Sequence, residues 1–136
     1  MRFTSVGADA EPVEKAISEK LSRENHLSYS PEQIVVSCGT KHSIYNAIQV
    51  LIEEGDEVII PAPYWLSYPE MVKLAGAKPV VLETSDQTEF KVTPQQLRAA
   101  ITPQTRLFIL NSPSNPTGSV YTPDEVKALG DICVEK

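Results

Sequence analysis

Long apolar runs are missing from this sequence, and none approaches the roughly 18 residues that a membrane-spanning helix needs. Basic clusters are missing too. The 12 Lys and Arg are outnumbered by 18 Asp and Glu, for a formal net charge of -6 and a pI near 4.9. No run of cations interrupts that acidity, which leaves a nucleic-acid role without a footprint. Cysteine is scarce: Cys38 and Cys133 lie far apart and form no CxxC or Cys/His pattern. No metal site is expected from them, and reduced thiols are. The start, Met1-Arg2-Phe3-Thr4-Ser5, lacks the apolar stretch of a signal peptide, so a cytoplasmic location is the expectation. Internal repeats, low-complexity tracts, the phosphate-loop pattern GxxxxGK(S/T) and the dinucleotide pattern GxGxxG are absent as well.

What remains is ordinary globular material: 136 residues, 41% hydrophobic and 22% charged, enough for one domain with a real core. Its periodicity alternates. Pro12 opens a helix in which Val13, Ala16, Ile17 and Leu21 recur at helical spacing. The apolar run Ile34-Val35-Val36 reads as a strand ending at Ser37-Cys38-Gly39. A helix with Ile44, Ala47, Ile48, Leu51 and Ile52 on one face follows, and Gly55-Asp56 closes it.

Val58-Ile59-Ile60 is the next strand, running into Pro61-Ala62-Pro63-Tyr64-Trp65. Ser67 and Glu70 form a capping box for a helix closed by Gly76. Val80-Val81-Leu82 and Leu107-Phe108-Ile109-Leu110 complete the strands. Thr93-Pro94 with Gln96, and Thr122-Pro123 with Glu125, open two more helices. Uniformly apolar strands alternating with helices imply a parallel sheet covered on both faces. The expected fold is α/β, a three-layer αβα sandwich with a mainly parallel sheet.

Open sheets of this kind bind ligands at the carboxyl ends of their strands, which singles out three places. At Gly39-Thr40-Lys41 a helix begins directly after a glycine, so backbone N–H groups and the helix dipole suit a phosphate, with a hydroxyl and a cation beside them. An ordinary βα turn would use the same glycine. Trp65, the single tryptophan, could stack on an aromatic ligand or pack beneath the next helix, and Pro63 is a candidate cis residue. The loop Asn111-Ser112-Pro113-Ser114-Asn115-Pro116-Thr117-Gly118 fixes an unusual backbone path and offers two amides. Three such places on one edge outweigh any one of them.

Those stretches, together with Asp56 through Trp65 and Ser67-Tyr68-Pro69-Glu70-Met71, resemble the class I aminotransferases of the pyridoxal phosphate (PLP) fold type I, near the aspartate aminotransferase branch. The SPxNPTG loop is the most specific element, and the resemblance covers nearly the whole chain from Ala16 onward. It implies that residues 1–136 are a partial PLP-binding large domain. Gly39, Thr40 and Lys41 then correspond to the family's phosphate-binding turn, Trp65 to the aromatic residue stacked on the pyridine ring, and Asn115 to the asparagine at the ring's phenolic oxygen. Asn115-Pro116 becomes a second candidate cis bond.

The resemblance also implies what these residues do not include. The family's Schiff-base lysine, the acid that protonates the pyridine nitrogen and the arginine for the substrate carboxylate all lie C-terminal to Lys136. Lys41 falls at the phosphate end, while Lys73, Lys78, Lys91 and Lys127 read as solvated surface. At the N-terminus Phe3 stands where the family has a tyrosine whose hydroxyl reaches the partner subunit's phosphate, and Val6-Gly7-Ala8-Asp9-Ala10-Glu11 is one residue longer than usual. The expectation is a fragment of an aminotransferase, inactive alone, whose parent moves an amino group between an amino acid and a 2-oxo acid. Alternatives are a non-catalytic module that binds a phosphate-bearing ligand or pairs with its own kind, and complementation of a separately encoded remainder. An incomplete sheet exposes an edge, so a homo-oligomer is expected.

Overall fold

A computed structural model describes residues 10–135. The expectations attached to Met1–Ser5, to Phe3 and to the segment beginning at Val6 fall on or begin among residues outside that range. The chain divides into two compact units, one up to Asn46 and one from Ala47 onward.

In the first unit, α1 runs Ala10–Asn25, so Pro12 sits in its first turn, where a missing N–H breaks no intrahelical bond. Ile17 and Leu21 are half-buried while Val13 is exposed. Beyond the helix, the Leu27 N–H donates to the Leu21 carbonyl (3.2 Å), and Ser18 Oγ donates to the Tyr29 carbonyl (2.5 Å). A short 3-10 turn, Pro31–Gln33, is capped by Ser30, whose N–H donates to Gln33 Oε1 (3.0 Å). The strand expected at Ile34–Val36 does not form. Ile34 has extended backbone, φ -106° and ψ 131°, but no ladder partner stands beside it among the described residues. A strand is made by its neighbour's hydrogen bonds and not by local conformation alone. Helix α2, Thr40–Leu51, starts in this unit and ends in the next.

The second unit is the α/β sandwich. Strands β1 (Glu57–Pro61), β2 (Lys78–Leu82) and β3 (Thr105–Phe108) form an all-parallel sheet in the order β2-β1-β3. Ile59 lies opposite Val80 on one side and Phe108 on the other. Helix α3 (Ser67–Leu74) links β1 to β2, α4 (Pro94–Ala100) links β2 to β3, and α5 (Pro123–Glu135) follows β3. The first crossover steps outward and the second returns past β1, so right-handed connections put α3 and α4 on opposite faces. The burial agrees. Ile59 packs with Leu97 of α4 and with Leu129 and Ile132 of α5. Val58 and Ile60, pointing the other way along a pleated strand, are equally sealed, all three at 0% exposure.

Local chemistry explains the starts of two helices. Thr93 caps α4, with its Oγ1 accepting from the Gln96 N–H (3.2 Å) while Gln96 Oε1 accepts from the Thr93 N–H (2.9 Å). Thr122 and Glu125 make the same reciprocal pair at α5. The capping box expected from Ser67 and Glu70 is not made. Leu66 already has helical backbone, φ -49° and ψ -22°, so Ser67 lies inside the first turn and Glu70 turns to Lys73 instead (2.8 Å). The edges of the sheet differ. On β2, Pro79 brings no N–H and Lys78 is exposed, two features that blunt an edge. No proline interrupts β3, and its outer side is unpaired among the described residues. A cleft of about 520 Å³ is lined by Ile101, Leu107, Phe108 and Cys133.

Candidate functional site

In the first unit the site candidate is a helix start. Gly39 has φ +86°, in the left-handed region that a side chain disfavours, and a Cβ there would meet nothing within 4 Å. Its carbonyl accepts the first helical bonds, from the His42 N–H (3.1 Å) and the Ser43 N–H (3.3 Å). The two amides ahead of these, at Thr40 and Lys41, have no carbonyl one turn back inside the helix. Both residues are exposed. His42 stabilises the approach to the turn: its Nδ1 accepts from the Cys38 N–H (3.2 Å). A left-handed glycine followed directly by a helix start is the kind of turn at which anions bind.

Two further candidates belong to the second unit. Strands β1 and β3 are neighbours and parallel, so the segments after Pro61 and after Phe108 leave the sheet at the same edge. The first carries Trp65, half-buried, its ring meeting Tyr68 edge-on at 5.7 Å and 87°. The contact uses an edge, as expected when aromatic quadrupoles pair. The approach to Trp65 is tied to β2: the Ala62 N–H donates to the Leu82 carbonyl (2.8 Å), and Thr84 Oγ1 donates to the Ala62 carbonyl. The second segment carries Asn115, exposed, whose side-chain amide makes no hydrogen bond among the described residues. Its loop closes on itself, with the Gly118 N–H donating to the Ser114 carbonyl (2.8 Å) and the Ser114 N–H to the Ser119 carbonyl (2.9 Å). The Ala62–Pro63, Ser112–Pro113 and Asn115–Pro116 bonds are cis.

Several contacts that hold this edge escaped the sequence reading. Tyr121 is buried, its hydroxyl accepting from the Val92 N–H (2.8 Å), and burial pushes its phenol above the usual range. Ser112 Oγ accepts from the Tyr121 N–H (3.0 Å). Ser119 Oγ donates to the Glu89 carbonyl (2.6 Å). Nothing local marks these residues, because each partner lies at least nine positions away.

The described lysines of this unit are paired with carboxylates. Lys73 meets Glu70 (2.8 Å), Lys78 meets Glu57 (2.9 Å), Lys91 meets Glu89 (2.9 Å) and Glu125 (3.2 Å), and Lys127 meets Asp131 (2.6 Å). The hydrogen bond that Lys73 donates to Glu70 raises its ammonium above the ordinary value, and the bond to Glu89 does the same for Lys91. A nucleophilic amine needs the opposite shift. Both cysteines are free and exposed. Among the described residues there is no metal-ligating cluster and no helix long and apolar enough to cross a membrane.

A model of the aminotransferase class I and II family matches residues 5–136. The chain belongs to that family. As an aminotransferase chain it is 54% identical over 122 residues to an aspartate aminotransferase of Geobacillus stearothermophilus, covering 90% of itself and 31% of that protein. An aspartate aminotransferase of Bacillus subtilis is 50% identical over 134 residues, covering 98% and 34% respectively. The solved aspartate aminotransferase of Rhizobium meliloti matches it with a TM-score of 0.87 at 41% identity, over 95% of this chain and 32% of that one. The chain thus spans about a third of the length of the curated relatives it matches, and corresponds to part of an aminotransferase. Aspartate aminotransferases of this family depend on pyridoxal phosphate.

Proposed function

We propose that residues 1–136 are part of the cofactor-binding large domain of an aminotransferase whose whole protein transfers an amino group between an amino acid and a 2-oxo acid. In this reading Gly39, Thr40 and Lys41 hold the cofactor's phosphate, Trp65 stacks on its ring, and Asn115 donates to its phenolic oxygen. One observation carries the proposal. Trp65 and Asn115 stand beyond the carboxyl ends of two adjacent parallel strands, the edge at which open α/β sheets take ligands. The turn at Gly39 adds a backbone anion site of the right chemistry.

Pyridoxal phosphate, when bound, supplies an electron sink for charge that develops at an amino acid's α-carbon. This chain's residues bind and orient. The helix start at Gly39 offers N–H groups to an anion, and the exposed Asn115 amide offers a donor and an acceptor at one place. Proton transfer at the α-carbon is not assigned to any lysine here, because the family resemblance puts the Schiff-base lysine C-terminal to Lys136. A polypeptide of these residues alone is therefore inactive in transamination and binds the cofactor weakly and without a covalent bond. Names of the relatives, aspartate and aspartate/prephenate aminotransferase, support aspartate as an amino donor of the whole protein. The acidic balance and the lack of a membrane-crossing helix among the described residues support a cytoplasmic setting. The unpaired outer side of β3 supports association with a second copy.

Absorbance titration with pyridoxal phosphate, followed by borohydride reduction and mass spectrometry, tests the proposal. Weak reversible binding without a reduced adduct is expected. A stable adduct on one lysine overturns the assignment of that chemistry elsewhere, and no binding at all overturns the cofactor site.

A further inference from the structure

The loop that carries Asn115 is tied to one corner of the fold. After β2 the chain makes a 3-10 turn, Asp86–Thr88, and then places two consecutive residues with side chains in the left-handed region: Glu89 at φ 54° and Phe90 at φ 56°. Such a pair is disfavoured, most of all at a bulky aromatic, and persists only where surrounding contacts over-determine it. Burial of Phe90 does not account for it, since that residue is 38% exposed. Bonds do. The Phe90 N–H donates to the Ser85 carbonyl (2.8 Å), the Lys91 N–H donates to the Thr88 carbonyl (2.9 Å), and Lys91 Nζ clasps Glu89 and Glu125.

Besides the Lys91–Glu125 pair, the corner has two hydrogen-bonded attachments, and both reach the segment that follows Asn115. Ser119 Oγ donates to the Glu89 carbonyl, and the Tyr121 hydroxyl accepts from the Val92 N–H. Ser119 is also where the loop closes, because its carbonyl accepts from the Ser114 N–H and its own N–H donates to Thr117 Oγ1 (3.2 Å). One residue therefore joins the closed loop to the strained corner.

We propose that the Glu89–Phe90 corner positions the Asn115 loop, with Ser119 as the positioning residue that couples them. The proposal rests on the reading of Asn115 as a cofactor contact. It goes beyond that reading by assigning the loop's geometry to a segment that touches no ligand.

The test compares Ser119→Ala, which removes the donor, with Ser119→Thr, which keeps it, both in the full chain. Hydrogen–deuterium exchange at the Gly118 and Ser114 amides is measured without ligand, and pyridoxal phosphate affinity is measured by absorbance. In Ser119→Ala, exchange is expected to quicken and affinity to weaken by about five-fold each, the factor one ordinary hydrogen bond supplies. Ser119→Thr should restore both. Unchanged exchange overturns the coupling, and faster exchange with unchanged affinity overturns the positioning role. A wild-type chain that binds no pyridoxal phosphate defeats the cofactor reading itself, and with it the positioning role, while exchange still judges the coupling.

Discussion

Replacing Gly39 by alanine separates backbone shape from steric room. Gly39 sits at φ +86° and its Cβ position is open, so the whole effect of Gly39→Ala comes from the left-handed conformation. For a residue with a Cβ that conformation costs about 1–2 kcal/mol. If the turn keeps its shape, the loss appears in stability as a fall in urea midpoint of roughly 0.5–1 M. If the turn relaxes, the loss appears in ligand affinity, because the phosphate must then restore its shape, at about five- to thirty-fold. Stability and affinity losses should together account for the 1–2 kcal/mol. Pyridoxal, which lacks the phosphate, isolates the relevant part: the affinity ratio between pyridoxal phosphate and pyridoxal falls if the turn grips the phosphate. Gly118→Ala is the internal control, with φ +75° and an equally open Cβ position. It should show a comparable stability cost and an unchanged ratio. A Gly39→Ala chain with wild-type midpoint and wild-type ratio would refute both the left-handed strain argument and the phosphate assignment.

Tyr121→Phe keeps the ring and orphans the Val92 N–H, a group on a residue only 3% exposed, so a loss of about 1–3 kcal/mol in urea denaturation is expected. The pH dependence has a definite sign. Burial raises the folded-state pKa of Tyr121, so its contribution is complete below the unfolded value of about 10 and is lost as pH rises through the folded value. The alkaline slope should be shallower in Tyr121→Phe, and an identical slope would contradict it. Light scattering at moderate concentration should report a mass above the monomer if the open side of β3 recruits a second copy, and a monomer would count against that association.

How much was legible in the letters depended on how local each cause is. The starts of α4 and α5 were readable because Thr93 with Gln96 and Thr122 with Glu125 satisfy a helix start within four residues. Ser67 with Glu70 carries the same signal and misleads, since the backbone before it is already helical. Strand β1 was readable from Val58-Ile59-Ile60, whose uniform apolarity matches burial on both faces. Ile34-Val35-Val36 is equally apolar and remains unpaired among the described residues, with Val35 and Val36 exposed.

The sequence by itself determined the alternation of helices with parallel strands, the helix start after Gly39, and the two segments that carry Trp65 and Asn115, because turn residues, caps and apolar periods act over a few positions. Tertiary structure alone decided which apolar run becomes a strand, because a ladder bond needs a partner brought from far along the chain. It also decided how the Asn115 loop is held. The left-handed pair at Glu89 and Phe90 contains no glycine to announce it, and Ser119 meets the Glu89 carbonyl only once β2, α4 and β3 have stacked the two segments side by side.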